Sequence, residues 1–181
     1  ALVMLFGFTV MGLLAYRTYT DSMPQPDRVV TSSGETLFTT EDITAGQRLF
    51  QARGLMEYGS ILGHGGYLGQ DFTAEYLRLE ATSVGDQLAA EGVADPATAT
   101  RDMLRTNRYD PSTGVLTWTD EQVTAYNEAV AHYTRLFGPE AHDHGLKPDL
   151  ITDPTEVRQV TAFFGWTAWG SAAQRPGLDY S

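Results

Sequence analysis

Five helix starts are written into this 181-residue sequence, and they constrain the fold more than any other feature. Thr39 or Thr40, ahead of Glu41-Asp42-Ile43, caps a helix reaching Leu49 and Phe50. Asp71 or Thr73 opens a second, with Leu77, Ala81, Val84 and Leu88 on one face. Asp95-Pro96 opens a short third that carries Met103 and Leu104. Thr119-Asp120-Glu121-Gln122 is a capping box, followed by Val123, Tyr126, Val130, Tyr133 and Phe137 at steps of three and four. Asp153-Pro154-Thr155-Glu156 starts the fifth, which runs through Val157, Val160, Phe163, Phe164, Trp166 and Trp169 to the stop at Arg175-Pro176-Gly177. The carboxylates in these first turns oppose the positive end of the helix dipole, so they read as caps rather than as a catalytic pair.

Two stretches between the helices read as hairpins, Thr31 to Thr39 and Tyr109 to Trp118, each with a glycine turn before a β-prone run. The predicted class is therefore mainly α with short β-hairpins. With 8 Phe, 9 Tyr and 3 Trp, a chain of this length closes a core without staples. The absence of cysteine removes disulfides, thiolate zinc sites, iron–sulfur clusters and covalently attached c-type haem. A net charge of −11 leaves no basic stripe for nucleic acid.

The first sixteen residues carry no charge and only Thr9 and two glycines as interruptions. At about 1.5 Å per residue this run falls short of a bilayer's ~30 Å core. It begins without Met or a basic flank, so residues 1–17 read as the outer end of a transmembrane helix, with 18–30 as linker. A signal-peptide core is the rival, weakened by the lack of a small-residue cleavage pattern after Leu14-Ala15-Tyr16. The flank after the run is net acidic, whereas a cytoplasmic flank holds Lys and Arg, which puts residues 31–175 on the extracytoplasmic face. Residues 176–181 read as the start of a connection to the next membrane segment.

From Arg53 to Thr73 six residues are glycine, with Leu, Ile, Tyr and Phe interleaved. Ordering such a loop costs entropy, so the backbone there must turn tightly or approach something closely. It lacks the lysine and the strand–helix context of a phosphate cradle. His142-Asp143-His144 has metal-ligand chemistry, but three polar residues in a row on a connecting segment read as a solvated loop rather than a specific metal site. His64 and His132 read as hydrogen-bonded structural histidines.

Gly46-Gln47-Arg48-Leu49-Phe50-Gln51, followed by the run from Gly54 to Thr73, resembles the outer domain of quinol-dependent nitric oxide reductase. Tyr109-Asp110-Pro111, Gly114-Val115-Leu116, Gly145-Leu146-Lys147-Pro148, Phe163-Phe164-Gly165-Trp166-Thr167-Ala168-Trp169 and Arg175-Pro176-Gly177 resemble the same stretch, between that family's first two membrane helices. The resemblance covers essentially the whole chain. Gln70 departs from it, standing where the family usually has proline.

The resemblance implies a cytochrome c-like domain without haem, because Leu55-Met56-Glu57-Tyr58-Gly59 stands where cytochrome-c-dependent relatives carry the haem attachment motif. Leu55, Met56 and Tyr58 are expected to help fill the vacated space. It further implies a bacterial cytoplasmic-membrane enzyme that reduces two NO to N2O and water with electrons from quinol. In the full enzyme the implied cofactors are haem b, haem b3, non-haem iron and calcium, held mostly by membrane helices beyond Ser181. No catalytic residue is expected here. The one carried-over contact is calcium bound through backbone oxygens at Gly65 and Tyr67. The competing reading is a stand-alone membrane-anchored extracytoplasmic binding module whose acidic surface docks a basic partner.

Overall fold

The computed structural model describes residues 2–20, 23–66 and 68–175. The elements run α1 (Leu2–Thr20), β1 (Arg28–Val30), β2 (Thr36–Thr39), α2 (Thr40–Ala52), α3 (Leu55–Tyr58), α4 (Phe72–Ala90) and α5 (Pro96–Arg105), then β3 (Tyr109–Asp110), β4 (Val115–Thr117), α6 (Asp120–Phe137) and α7 (Pro154–Ala172). All five predicted helix starts form. Thr39 and Thr119 close reciprocal capping boxes with Asp42 and Gln122. Asp71, Asp95 and Asp153 accept from the first-turn amides of α4, α5 and α7.

Both hairpins form, and the structure joins them. β1 pairs antiparallel with β2 and parallel with β4, which pairs with β3, giving the sheet order β2-β1-β4-β3. The stretch read as linker at 18–30 is correspondingly shorter, because Val29 and Val30 are buried β-branched residues that pair with Leu116 and Thr117.

α7 is the central helix, packed on α2, α4 and α6. Gly46 lets α2 lie directly on α7, since a Cβ there would overlap the Gln159 carbonyl. Phe164 of α7 stacks on Phe72 of α4 at 4.7 Å between ring centroids, and Tyr133, Phe137 and Phe50 pack around the pair. Burial on this scale, at about 25 cal/mol per Å² of apolar surface, dominates the stability.

The face read on α4 divides. Val84 and Leu88 are buried, but Leu77 and Ala81 line an open groove, while Phe72, Tyr76 and Glu80 face inward. The uncharged N-terminal run is helical as α1, with its apolar side chains exposed. Among the described residues no helix is long and apolar enough to cross a membrane.

Candidate functional site

The glycine loop from Gly54 to Asp71 is closed at its base by one carboxylate. Asp71 Oδ1 accepts from the Ala74 amide at 2.9 Å, which starts α4. Its Oδ2 accepts from Ser60 Oγ at 2.6 Å and from the Gly63 amide at 2.8 Å. The Phe72 amide donates to the Ser60 carbonyl at 2.9 Å, and the Gly69 amide to the Tyr58 carbonyl at 2.6 Å. Thr73 is not the cap. Its Oγ1 accepts from the Leu62 amide at 3.0 Å and donates to Thr167 Oγ1 of α7 at 2.9 Å. The loop is thus tied to both α4 and the central helix.

The glycines serve two purposes. A Cβ at Gly59 would overlap the Gln70 carbonyl, one at Gly66 would approach Gly59 Cα, and one at Gly69 would strike the Tyr58 ring. Gly65 has φ +80°, in the left-handed region that glycine favours, and open space where a Cβ would sit. Tyr67 lies outside the described residues. His64 Nδ1 donates to the Ile61 carbonyl at 2.7 Å, which fixes its tautomer.

Leu55 and Tyr58 are buried, as the packing reading expects. Met56 is not: it is 61% exposed, because the single turn of α3 can turn only part of its circumference inward. With Leu62 and Leu68, the latter 78% exposed, Met56 places an apolar surface around the loop. Beside it, Phe50, Gly59, Ser60, Ile61 and His64 border a cavity of about 230 Å³.

Behind the loop lies a polar chain that sequence reading missed. Gln70 Nε2 donates to Glu75 Oε2 at 3.0 Å, and His132 Nε2 approaches Glu75 Oε1 at 3.1 Å. Burial alone would raise the Glu75 pKa, but hydrogen bonds from His132 and Gln70, the His132 charge and the nearby Tyr133 together hold it below the ordinary carboxylate range. Gln70 therefore links the loop to α4 and, through Glu75, to α6. A helical i, i+4 signal could not have shown this, since the partners come from three segments.

His142 and His144 sit on a 3-10 turn, Ala141–His144. His142 and Asp143 are both about four-fifths exposed, with Nδ1 and Oδ1 3.9 Å apart. Among the described residues no three His, Cys, Asp or Glu side chains converge as a metal site. The chain has no thiol, the Ser60 hydroxyl is held by Asp71 at the base of the loop, and what the site presents outward is a shaped, partly apolar surface with backbone carbonyls.

The family model for the cytochrome c-like domain of NorB, a component of nitric oxide reductase, matches residues 26–181. No curated relative matches the chain. Match and architecture agree: the chain belongs to the family of NorB cytochrome c-like domains of nitric oxide reductase.

Proposed function

We propose that the chain is the haem-free extracytoplasmic domain of a quinol-dependent nitric oxide reductase, anchored in the bacterial cytoplasmic membrane through α1. The carrying observation is the segment Leu55-Met56-Glu57-Tyr58-Gly59, which has neither the thiols nor the histidine that covalent haem requires. Its side chains and its surroundings do not fit the group. Leu55 and Tyr58 fill the interior, and Tyr58 packs on Phe72 at 6.2 Å between centroids. His64 spends Nδ1 on the Ile61 carbonyl, and His132 lies on Glu75. A domain without a redox centre leaves electron entry to quinol in the membrane part.

The anchor reading rests on α1 being apolar on all sides, with Leu2, Phe6, Met11 and Leu14 all exposed. The apolar surface of Met56, Leu62 and Leu68 then packs on the membrane helices of the same enzyme. Calcium is proposed to bind there through the carbonyls of Gly65 and Tyr67. Gly65 suits a hard cation that takes backbone oxygen, since no described donor occupies its carbonyl. The NO-reducing metals and the quinol site belong to the remaining helices.

The test is NO consumption by membranes carrying the complete gene product. Turnover driven by a quinol, and absent with reduced cytochrome c, is the expected result. Turnover with cytochrome c alone, or a haem absorption band copurifying stoichiometrically with this domain, would overturn the reading.

A further inference from the structure

A groove of about 690 Å³ runs between α4, α5 and the end of α7, well within the roughly 300–1,000 Å³ of small-molecule sites. Its lining is mostly apolar, from Leu77, Ala81, Gly85, Ala97, Leu104 and Ala172. Three observations say what covers it. First, Arg101 and Arg105 stand on its α5 wall, two of only 12 Lys and Arg in a chain of net charge −11. Arg101 also meets Asp102 at 3.5 Å, an exposed pair worth little. Asp86 lies among the lining residues from α4, so an anionic group is directed to the arginine side. Second, Thr100 is only 6% exposed, lines the same groove and has no hydrogen-bond partner for its Oγ1 among the described residues. A buried hydroxyl in that state calls for an acceptor.

Third, the groove lies at the C-terminal end of α7, the end against which the entering chain also packs. Ala172 lines it, and the Gln174 amide donates to the Arg105 carbonyl at 2.9 Å. On the opposite face of α7, Gly170 packs against Met23, and Trp166 Nε1 donates to the Pro24 carbonyl at 2.9 Å. The exposed apolar helix α1 ends three residues before Met23. Apolar lining, paired cations and a spare donor at the membrane end are the chemistry of one amphiphile.

We propose that this groove binds an anionic phospholipid, with one acyl chain along Leu77, Ala81 and Leu104, its ester carbonyl accepting from Thr100, and its phosphate on Arg101 and Arg105. The site rests on the reading of α1 as a membrane anchor for its place at the membrane end and for its supply of lipid, while its lining and its charges stand on their own.

The test is native mass spectrometry of the 181-residue chain in dodecyl maltoside with added phosphatidylglycerol or phosphatidylcholine. The wild type is expected to retain one phosphatidylglycerol, at least tenfold in preference to phosphatidylcholine. Ala97→Trp, at an exposed position on the groove wall, and the double variant Arg101→Gln/Arg105→Gln should each lower retention about tenfold with unchanged melting. The double variant changes only exposed side chains, so it decides the matter if Ala97→Trp does not fold. Equal retention of the two lipids, or unchanged retention in the folded variants, overturns the site. Flotation with neutral phosphatidylcholine vesicles reports separately on α1, so failure of the anchor and failure of the groove are distinguishable.

Discussion

Gln122 donates through Nε2 to Glu80 Oε1 at 2.8 Å inside the α4–α6 interface, where both side chains are buried. Gln122 also accepts from the Thr119 amide through Oε1, so one side chain caps α6 and holds the carboxyl of α4. Desolvation nonetheless pushes the Glu80 pKa up to about 7, because Gln122 only partly offsets it. A folded pKa above the unfolded value of 4.5 means the native state holds the extra proton, so stability falls as pH rises from about 4.5 to about 7. The ionised form costs on the order of 3 kcal/mol. Glu80→Gln should therefore match the wild type near pH 4 and melt several degrees higher at pH 8, a difference read by calorimetry across pH. Parallel melting curves for the two proteins would rule this out.

Glu75 runs the opposite way. Its pKa is held below the ordinary carboxylate range by its partners, so it contributes stability above the unfolded value that disappears as pH falls through the folded one. Glu75→Gln should destabilise by roughly 1–2 kcal/mol at neutral pH, with the difference vanishing in acid. Gln70→Pro should lower the same contribution by removing the 3.0 Å donor. Urea titrations at pH 7 and pH 3 separate these effects from simple packing loss.

Thr73→Val should loosen the glycine loop selectively. The change removes the acceptor of the Leu62 amide and the donor to Thr167, at a buried position. Such buried losses cost about 1–3 kcal/mol. Hydrogen exchange at the Leu62 amide should accelerate more than exchange in the middle of α7; uniform acceleration throughout would show that Thr73 supports only global stability.

The caps and the apolar steps of α6 and α7 were legible because each depends on neighbours within four residues, as in the Thr119–Gln122 box. The parallel pairing of Val29 with Leu116 was not, since register across so long a separation is set by the packed core. Glu80 escaped notice because nothing local marks a mid-helix acid as buried; only the approach of Gln122 from another helix does. Leu77 and Ala81 followed helical periodicity but are only half-buried, because both line the groove between α4 and α5, with Leu77 packed against the edge of the core. At the loop, glycine density correctly signalled tight backbone; the expectation that Met56 helps fill a vacated haem space came from the resemblance instead, and α3 leaves that side chain exposed.

The last prediction separates a packing role of the glycine loop from a cation-bridging one. Gly65 holds φ +80° with open space at its Cβ position, so Gly65→Val costs the left-handed strain alone, roughly 1–2 kcal/mol. The isolated chain should lose only a few degrees of melting temperature. Gly69→Ala provides the scale for a steric defect, since its Cβ would enter the Tyr58 ring and should destabilise the chain more. In the complete enzyme the ranking should reverse for metal content: Gly65→Val reorients a carbonyl proposed to bind calcium, so calcium by elemental analysis should fall and the haem spectra should shift. Gly69→Ala should lower yield while leaving calcium stoichiometric in the enzyme that folds. If Gly65→Val enzyme keeps both its calcium and its haem spectra, the loop acts through packing alone, and the carbonyl site at Gly65 and Tyr67 is wrong.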